Sequence, residues 1–238
     1  MALEKTFALT IDFCETATPE ATLRWADKRL MNPDATAKMQ ALRDRLLPKL
    51  YAGSITREEM DDWMVKTFAI YAEQGVTREQ IVMAMRGFPL REGFIDLLQW
   101  ARLVDVPVAI ISGSCTDFID LALHNAGVRH LVTEVYSTNL TYDERGKVTG
   151  VLGDSIVHNF TKGSLARRWA ERCGIDTKRL IGLGDSNNDI DLAGEDGYLI
   201  GLVGNEARAK QLNGRFNHVV VSDHVGDALN VIKQRVLA

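Results

Sequence analysis

Asp12 closes the apolar run "FALTI", Ser112 and Gly113 follow "VPVAII", and Asp185 closes "RLIGLG", with Asp189 four residues later in "GDSNNDID". Lys162 stands in "HNFTK", at the start of a helical stretch. Three strand ends and one helix start thus carry reactive side chains. In an open parallel sheet, ligands bind outside the carboxyl ends of the strands. Asp12 and Asp185 could hold Mg²⁺, which takes a few carboxylates together with waters and phosphate oxygens. A carboxylate can also attack phosphorus and form an aspartyl-phosphate that water later cleaves. An anion attacking an anion needs the phosphoryl charge neutralised. Mg²⁺, the Lys162 ammonium, the Ser112 hydroxyl and the Gly113 N–H are suited to that task. Asp189 could orient Lys162 or a metal-bound water from the first turn of the helix expected after Asp185. Taken singly, each residue has a plain reading as a turn former, a helix cap or a solvated lysine. Their order and their shared placement make the joint reading the stronger one.

The elements that must position them follow from periodicity. "VPVAIISG", "RLIGLGD", "YLIGLV" and "HVVVS" read as buried strands, and "CTDFIDLALHNAG", "TKGSLARRWAERCG" and "NEARAKQLNG" as helices closed by glycine. This alternation predicts an α/β fold, a doubly wound parallel sheet with helices on its faces. "TYDERGKVTGVLG" reads as a hairpin. Residues 19–91 break the alternation with four helical stretches. Thr56 and Thr77 are expected N-caps, with Glu59 and Gln80 in the capping-box position, and Gly53 and Gly75 are expected stops. The expected organisation is a discontinuous core, residues 1–18 and 92–238, with an all-helical cap inserted over residues 19–91.

Composition narrows the partners. With 46% hydrophobic and 25% charged residues among 238, and a net charge of -4, the chain has no electrostatic footprint for a nucleic acid polymer or an anionic membrane. Cys14, Cys115 and Cys173 form no metal-ligand spacing, and their odd count suits a reducing cytoplasm. "MALEKTFALT" lacks the pattern of a secretory leader, and the apolar runs are too short to span a bilayer. A small phosphorylated metabolite is the expected partner.

"DFCET", "IISGS", the lysine of "NFTKGS" and "GLGDSNNDIDLA" resemble the four ordered motifs of the haloacid dehalogenase superfamily. "LREGFIDLL", "AGVRHLV", the "HNFTK" run and "RLIGLGDSNNDIDLA" are similar to its cytosolic pyrimidine 5′-nucleotidase branch, with the phosphoserine phosphatase branch as the nearest rival. The resemblance implies a Mg²⁺-dependent phosphomonoesterase with a helical cap over the leaving group. It implies Asp12 as nucleophile, and Mg²⁺ on Asp12, the Cys14 carbonyl and Asp185. Ser112, Gly113 and Lys162 would hold the phosphoryl group, and Asp189 would support them.

One position departs from the resemblance. Where phosphatase members carry a second aspartate that protonates the leaving alcohol, this chain has Cys14. Its backbone carbonyl can still face a metal, but a thiol is a weaker proton donor, and acid–base help is worth about 10²–10⁴-fold. Attenuated hydrolysis, preference for good leaving groups, transfer to another acceptor, proton handling by Glu15 and ligand binding without turnover all fit this substitution. The complete acidic motif at Asp185 and Asp189 weighs against dehalogenation, which needs no Mg²⁺.

Overall fold

The computed structural model describes residues 7–237; residues 1–6, the start of the stretch read for a leader, and Ala238 lie outside the described residues. Six strands form one parallel sheet: β1 (Ala8–Ile11), β2 (Val108–Cys115), β3 (Glu134–Thr138), β6 (Leu180–Gly184), β7 (Tyr198–Val203) and β8 (His218–Val221). Their order is β3-β2-β1-β6-β7-β8. The antiparallel pair β4 (Leu140–Tyr142) and β5 (Val148–Val151) is the expected hairpin. From β1 the chain winds outward through β2 and β3. From β6 it winds the other way through β7 and β8. The reversal puts a crevice between the carboxyl ends of β1 and β6.

Strand periodicity assigns the two faces. Leu9, Ile11 and Ile110 point into one apolar cluster with α5 (Phe94–Leu103), α6 (Thr116–Asn125) and α9 (Val225–Leu237). Ala8, Ala109 and Ile111 point into the other, against α7 (Asn159–Cys173) and α8 (Glu206–Leu212). Strands covered on both faces have no polar side to show, which is why they read as continuous apolar runs. Among the described residues no helix is long and apolar enough to cross a membrane.

Between β1 and α5 lie α1 (Thr22–Leu30), α2 (Pro33–Tyr51), α3 (Arg57–Glu73) and α4 (Arg78–Ala84). Thr56 and Thr77 cap α3 and α4, each in a complete capping box with Glu59 or Gln80. Gly53 and Gly75 take left-handed backbone, φ 66° and 63°, just beyond α2 and α3. The two chain crossings into this helical segment are fastened together, with Arg91 N–H donating to the Ala17 carbonyl at 2.8 Å. At its far side the β4–β5 hairpin exchanges backbone bonds with the α3–α4 turn, Arg78 N–H to Gly146 O at 2.9 Å and Val148 N–H to Val76 O at 2.8 Å. The apolar cluster containing Phe94 and Phe118 continues into Met39, Phe68 and Tyr71 of the helical segment.

Two local expectations differ from the structure. "EVYST" forms the edge strand β3, which periodicity missed because only its last two residues are buried. After Asp185 there is no regular helix but a short 3₁₀ turn, Asn187–Asp189, followed by further turns to the start of β7. The Asp189 side chain folds back onto the chain that precedes it, and that closes the turn.

Candidate active site

The crevice floor is built by β1, β2, β6 and the start of α7. Lys162 Nζ lies 2.6 Å from Asp12 Oδ1 and 2.6 Å from Asp189 Oδ1, and all three groups are buried. The other Asp189 oxygen, Oδ2, accepts from the N–H of Asp185, the N–H of Ser186 and the Ser186 hydroxyl, each at 3.1 Å. Two glycines make these approaches possible. A Cβ on Gly184 would stand 2.3 Å from the Asp189 Cβ, and one on Gly163 would stand 2.7 Å from the Asp191 Cβ. Without them Asp189 could not tuck under β6, nor α7 come close enough to bring Lys162 to it.

Ser112 and Gly113, in β2, line the same cavity as Asp12, Lys162, Asp185 and Asp189. Ser112 is fully buried, and its hydroxyl accepts the Ser114 N–H at 3.4 Å. All the residues singled out from the sequence therefore converge on one cavity of about 270 Å³.

Charge shapes the floor. Burial lifts Asp12 to about 6 despite the Lys162 ammonium beside it. Asp185 is raised well above the usual carboxylate range by burial and then by the charges of Asp189 and Asp12. Burial pulls Lys162 down, but Asp12 and Asp189 outweigh it, so its pKa is raised and it stays cationic. Asp12, Asp185 and Asp189 each place a carboxylate oxygen within 4.8 Å of the others. Three buried carboxyl groups in a hard, all-oxygen donor set are what Mg²⁺ takes, and a divalent cation would offset the burial and mutual repulsion that raise Asp12 and Asp185. These residues therefore fit the metal.

The loop after Asp12 is irregular. Cys14 is extended and Glu15 is left-handed at φ 62°. A left-handed non-glycine residue must be held. Arg91 Nη2 donates to the Glu15 carbonyl at 2.6 Å, and the Glu15 N–H donates to Thr18 Oγ1 at 3.2 Å. The Cys14 thiol sits 3.5 Å from Thr22 Oγ1, which in turn is hydrogen-bonded to Ser114. Burial and the Asp12 charge push the thiol up to about 11, so it is protonated near neutral pH. The Glu15 carboxylate lies between Arg24 at 3.5 Å and Arg208 at 3.3 Å.

Arg208 and Arg91 were not among the candidates. Arg208 Nη2 donates to Asp185 Oδ2 at 2.7 Å, while Thr16 Oγ1 donates to Asp185 Oδ1 at 3.2 Å. "NEARAKQ" holds no signal for this, because the partners of Arg208 are 23 and 193 residues away.

The cavity wall opposite in character comes from α1, α2 and α3. Leu23, Met39, Leu47, Leu50, Met60, Trp63 and Met64 line it, with Arg24, Arg43 and Thr67 as the polar members. Arg43 is paired with buried Asp27, which also accepts from the Tyr71 hydroxyl at 2.7 Å. Of Arg24, Trp25, Arg29, Trp63 and Phe68 in this segment, Trp63 and Arg24 reach the cavity. Phe68 is core, tilted against Tyr71. Trp25 donates to the Ala84 carbonyl at 2.8 Å and carries the Arg29 guanidinium on its ring face.

A sequence model of the family described as pyrimidine 5′-nucleotidase (UMPH-1) matches residues 22–199. The match takes in Ser112, Lys162, Asp185 and Asp189 and begins after Asp12 and Cys14. The 7-methylguanosine phosphate-specific 5′-nucleotidase A of Xenopus laevis is 24% identical over 227 residues, covering 89% of this chain and 78% of that protein. The phosphoserine phosphatase of Campylobacter jejuni subsp. doylei is 22% identical over 138 residues, covering 58% and 64%. Among solved structures, cytosolic 5′-nucleotidase IIIB bound to cytidine superposes with a TM-score of 0.74 at 18% identity, over 98% of this chain and 88% of that one. A phosphoserine phosphatase solved as a phospho-aspartyl intermediate analogue gives 0.72 at 16%, over 95% and 99%. Both superpositions show a shared fold.

Proposed function

This chain belongs to the pyrimidine 5′-nucleotidase (UMPH-1) family, among the phosphomonoesterases of the haloacid dehalogenase superfamily, and from that premise we propose that it hydrolyses a small phosphomonoester through an aspartyl-phosphate on Asp12. The observation that carries the reading is the Lys162 ammonium, buried between Asp12 and Asp189 at 2.6 Å from each. A lysine held there leaves the Asp12 carboxylate anionic and places a positive charge where a phosphoryl group would meet it.

In this reading an Asp12 oxygen forms a bond to phosphorus as the bond to the leaving oxygen breaks. That oxygen departs with the electron pair and, from an alcohol ester, takes up a proton from solvent. The oxygen of a water molecule then attacks phosphorus and releases a proton to solvent, the bond to Asp12 breaks, and phosphate leaves with the carboxylate restored. Ser112, the Gly113 N–H and Lys162 grip the phosphoryl oxygens, and Asp189 holds Lys162 in place. Asp12, the Cys14 carbonyl and Asp185 would hold Mg²⁺, which supplies Lewis-acid neutralisation of the phosphoryl charge. Residues 19–91 act as a cap whose apolar wall receives the leaving group.

Cys14 bears on which esters turn over fastest. A protonated thiol with a pKa near 11 is a weak acid, so esters whose leaving oxygen needs no proton are favoured over alkyl esters. The test is a screen of pyrimidine nucleotides, phosphoserine, pyridoxal phosphate and acetyl phosphate, with and without Mg²⁺. Phosphate release that requires Mg²⁺ and falls by roughly 10⁴-fold in Asp12→Asn is the expected result. Full activity in Asp12→Asn would remove the nucleophile assignment. Product formed only when an acceptor alcohol is added would make the chain a phosphotransferase instead.

A further inference from the structure

The first two turns of α3 are tied to the N-terminus of α7 by two contacts that the proposed chemistry does not use. Arg57 Nη2 donates to the Phe160 carbonyl at 3.0 Å, and His158 Nε2 lies 3.0 Å from Asp61 Oδ1. The other ring nitrogen identifies the tautomer. His158 Nδ1 accepts the Phe160 N–H at 3.2 Å, so the ring proton sits on Nε2 and is donated to Asp61. Burial pulls the imidazole pKa down and favours this neutral ring. Although His158 lines the cavity, both its nitrogens are engaged, which leaves none to exchange a proton with a substrate.

What the contact joins is informative. On the α7 side, the His158 carbonyl accepts the Lys162 N–H at 3.1 Å, so the lysine of the floor is one turn from the tie. His158 is itself locked as the helix cap, with its backbone N–H donating to Thr161 Oγ1 at 2.9 Å. On the α3 side, Asp61 lies next to Met60 and within one turn of Trp63 and Met64, which line the cavity. The leaving-group wall and the phosphoryl grip come from segments about 100 residues apart in sequence, and this tie connects their helices directly. Asp61 is itself outside the cavity lining, and its side chain is 45% exposed.

We propose that Asp61 is a positioning residue which, through His158, sets the spacing between the α3 wall and Lys162, so that a leaving group seated against Trp63 presents its phosphorus to Asp12. This inference rests on the phosphatase reading above. It distinguishes long substrates from short ones. A nucleotide must satisfy wall and floor together, and a misplacement of about 1 Å between them is expected to lower kcat/KM by roughly 10–100-fold. Acetyl phosphate engages the floor with a leaving group too short to span to the wall, so it is indifferent to the spacing.

The experiment compares acetyl phosphate with a pyrimidine nucleoside 5′-monophosphate in the wild type, Asp61→Ala and Asp61→Asn, with thermal melting as a check on folding. Asp61→Ala is expected to keep acetyl phosphate turnover and to lose nucleotide turnover mainly in kcat. Asp61→Asn, which keeps an oxygen to accept from His158 Nε2, is expected to restore it. Equal losses on both substrates, or no loss on either, would overturn the positioning role alone. Absence of Mg²⁺-dependent turnover of both substrates in the wild type would overturn the phosphatase reading and this inference with it.

Discussion

The two ends of the cavity are built on opposite principles. The floor gathers Asp12, Asp185, Asp189 and Lys162 at strand ends and a helix start, all buried and hydrogen-bonded. The wall is mostly leucine, methionine and one tryptophan, and none of the residues it contributes from α1, α2 and α3 is acidic. Buried charges need partners at fixed distances, so the floor is specified atom by atom. Apolar contact is non-directional, and methionine in particular adapts to the shape it meets. In the proposed reaction, chemistry would thus be fixed at one end while the identity of the leaving group would be left to size and shape at the other. The loop 12–18 is the seam, where the Cys14 thiol meets Thr22 of α1 and Glu15 faces Arg24 of α1 and Arg208 of α8.

This contrast can be broken from either side. Lys162→Ala strikes the floor hardest, because it leaves Asp12 and Asp189 buried without their shared cation. Turnover of every substrate should fall by about 10²–10³-fold, and urea denaturation should register a loss of about 3 kcal/mol in stability. Cys14→Asp restores a carboxyl at the seam. Alkyl phosphate hydrolysis is expected to rise by about 10²-fold while acetyl phosphate changes little, because acid help scales with the need for a proton. A uniform loss would mean that the thiol belongs to the native mechanism. Trp63→Ala is directed at the wall. Steady-state kinetics should show about a tenfold loss in kcat/KM for a nucleotide, larger than for acetyl phosphate, since burying one aromatic group contributes about 1.5–3 kcal/mol at most. The smallest effect on chemistry is expected from Asp27→Ala, which unpairs Arg43 and Tyr71 within the helical segment. It should lower the melting temperature, yet change acetyl phosphate turnover per folded molecule by less than about twofold, because sites without shared partners are nearly additive.

Much of the floor was legible because motif residues sit at the ends of strands that periodicity reveals. Thr56 and Thr77 were legible for a related reason, since a capping box is contained within four residues. The edge strand β3 was not, because a half-buried edge lacks the continuous apolar run that marks β2 or β7. Glu15 could be suspected of handling a proton from its place beside Cys14. The structure instead sets its carboxylate between two arginines and its carbonyl on Arg91, neither of which the local sequence announces.

The chain's own order of residues determined the parallel α/β core, the helical insertion after β1, and the identity of Asp12, Ser112, Lys162, Asp185 and Asp189 as candidates. These follow from short-range rules: strand and helix periodicity, caps, and turns that need glycine. Only the tertiary structure decided that Lys162 lies between Asp12 and Asp189, that Arg208 joins Asp185 to Glu15, and that Asp61 is bonded to His158 across from the cavity wall. Those pairings span 23 to 193 residues of sequence. Coulomb and hydrogen-bond energies depend on distance in space, and folding alone sets that distance.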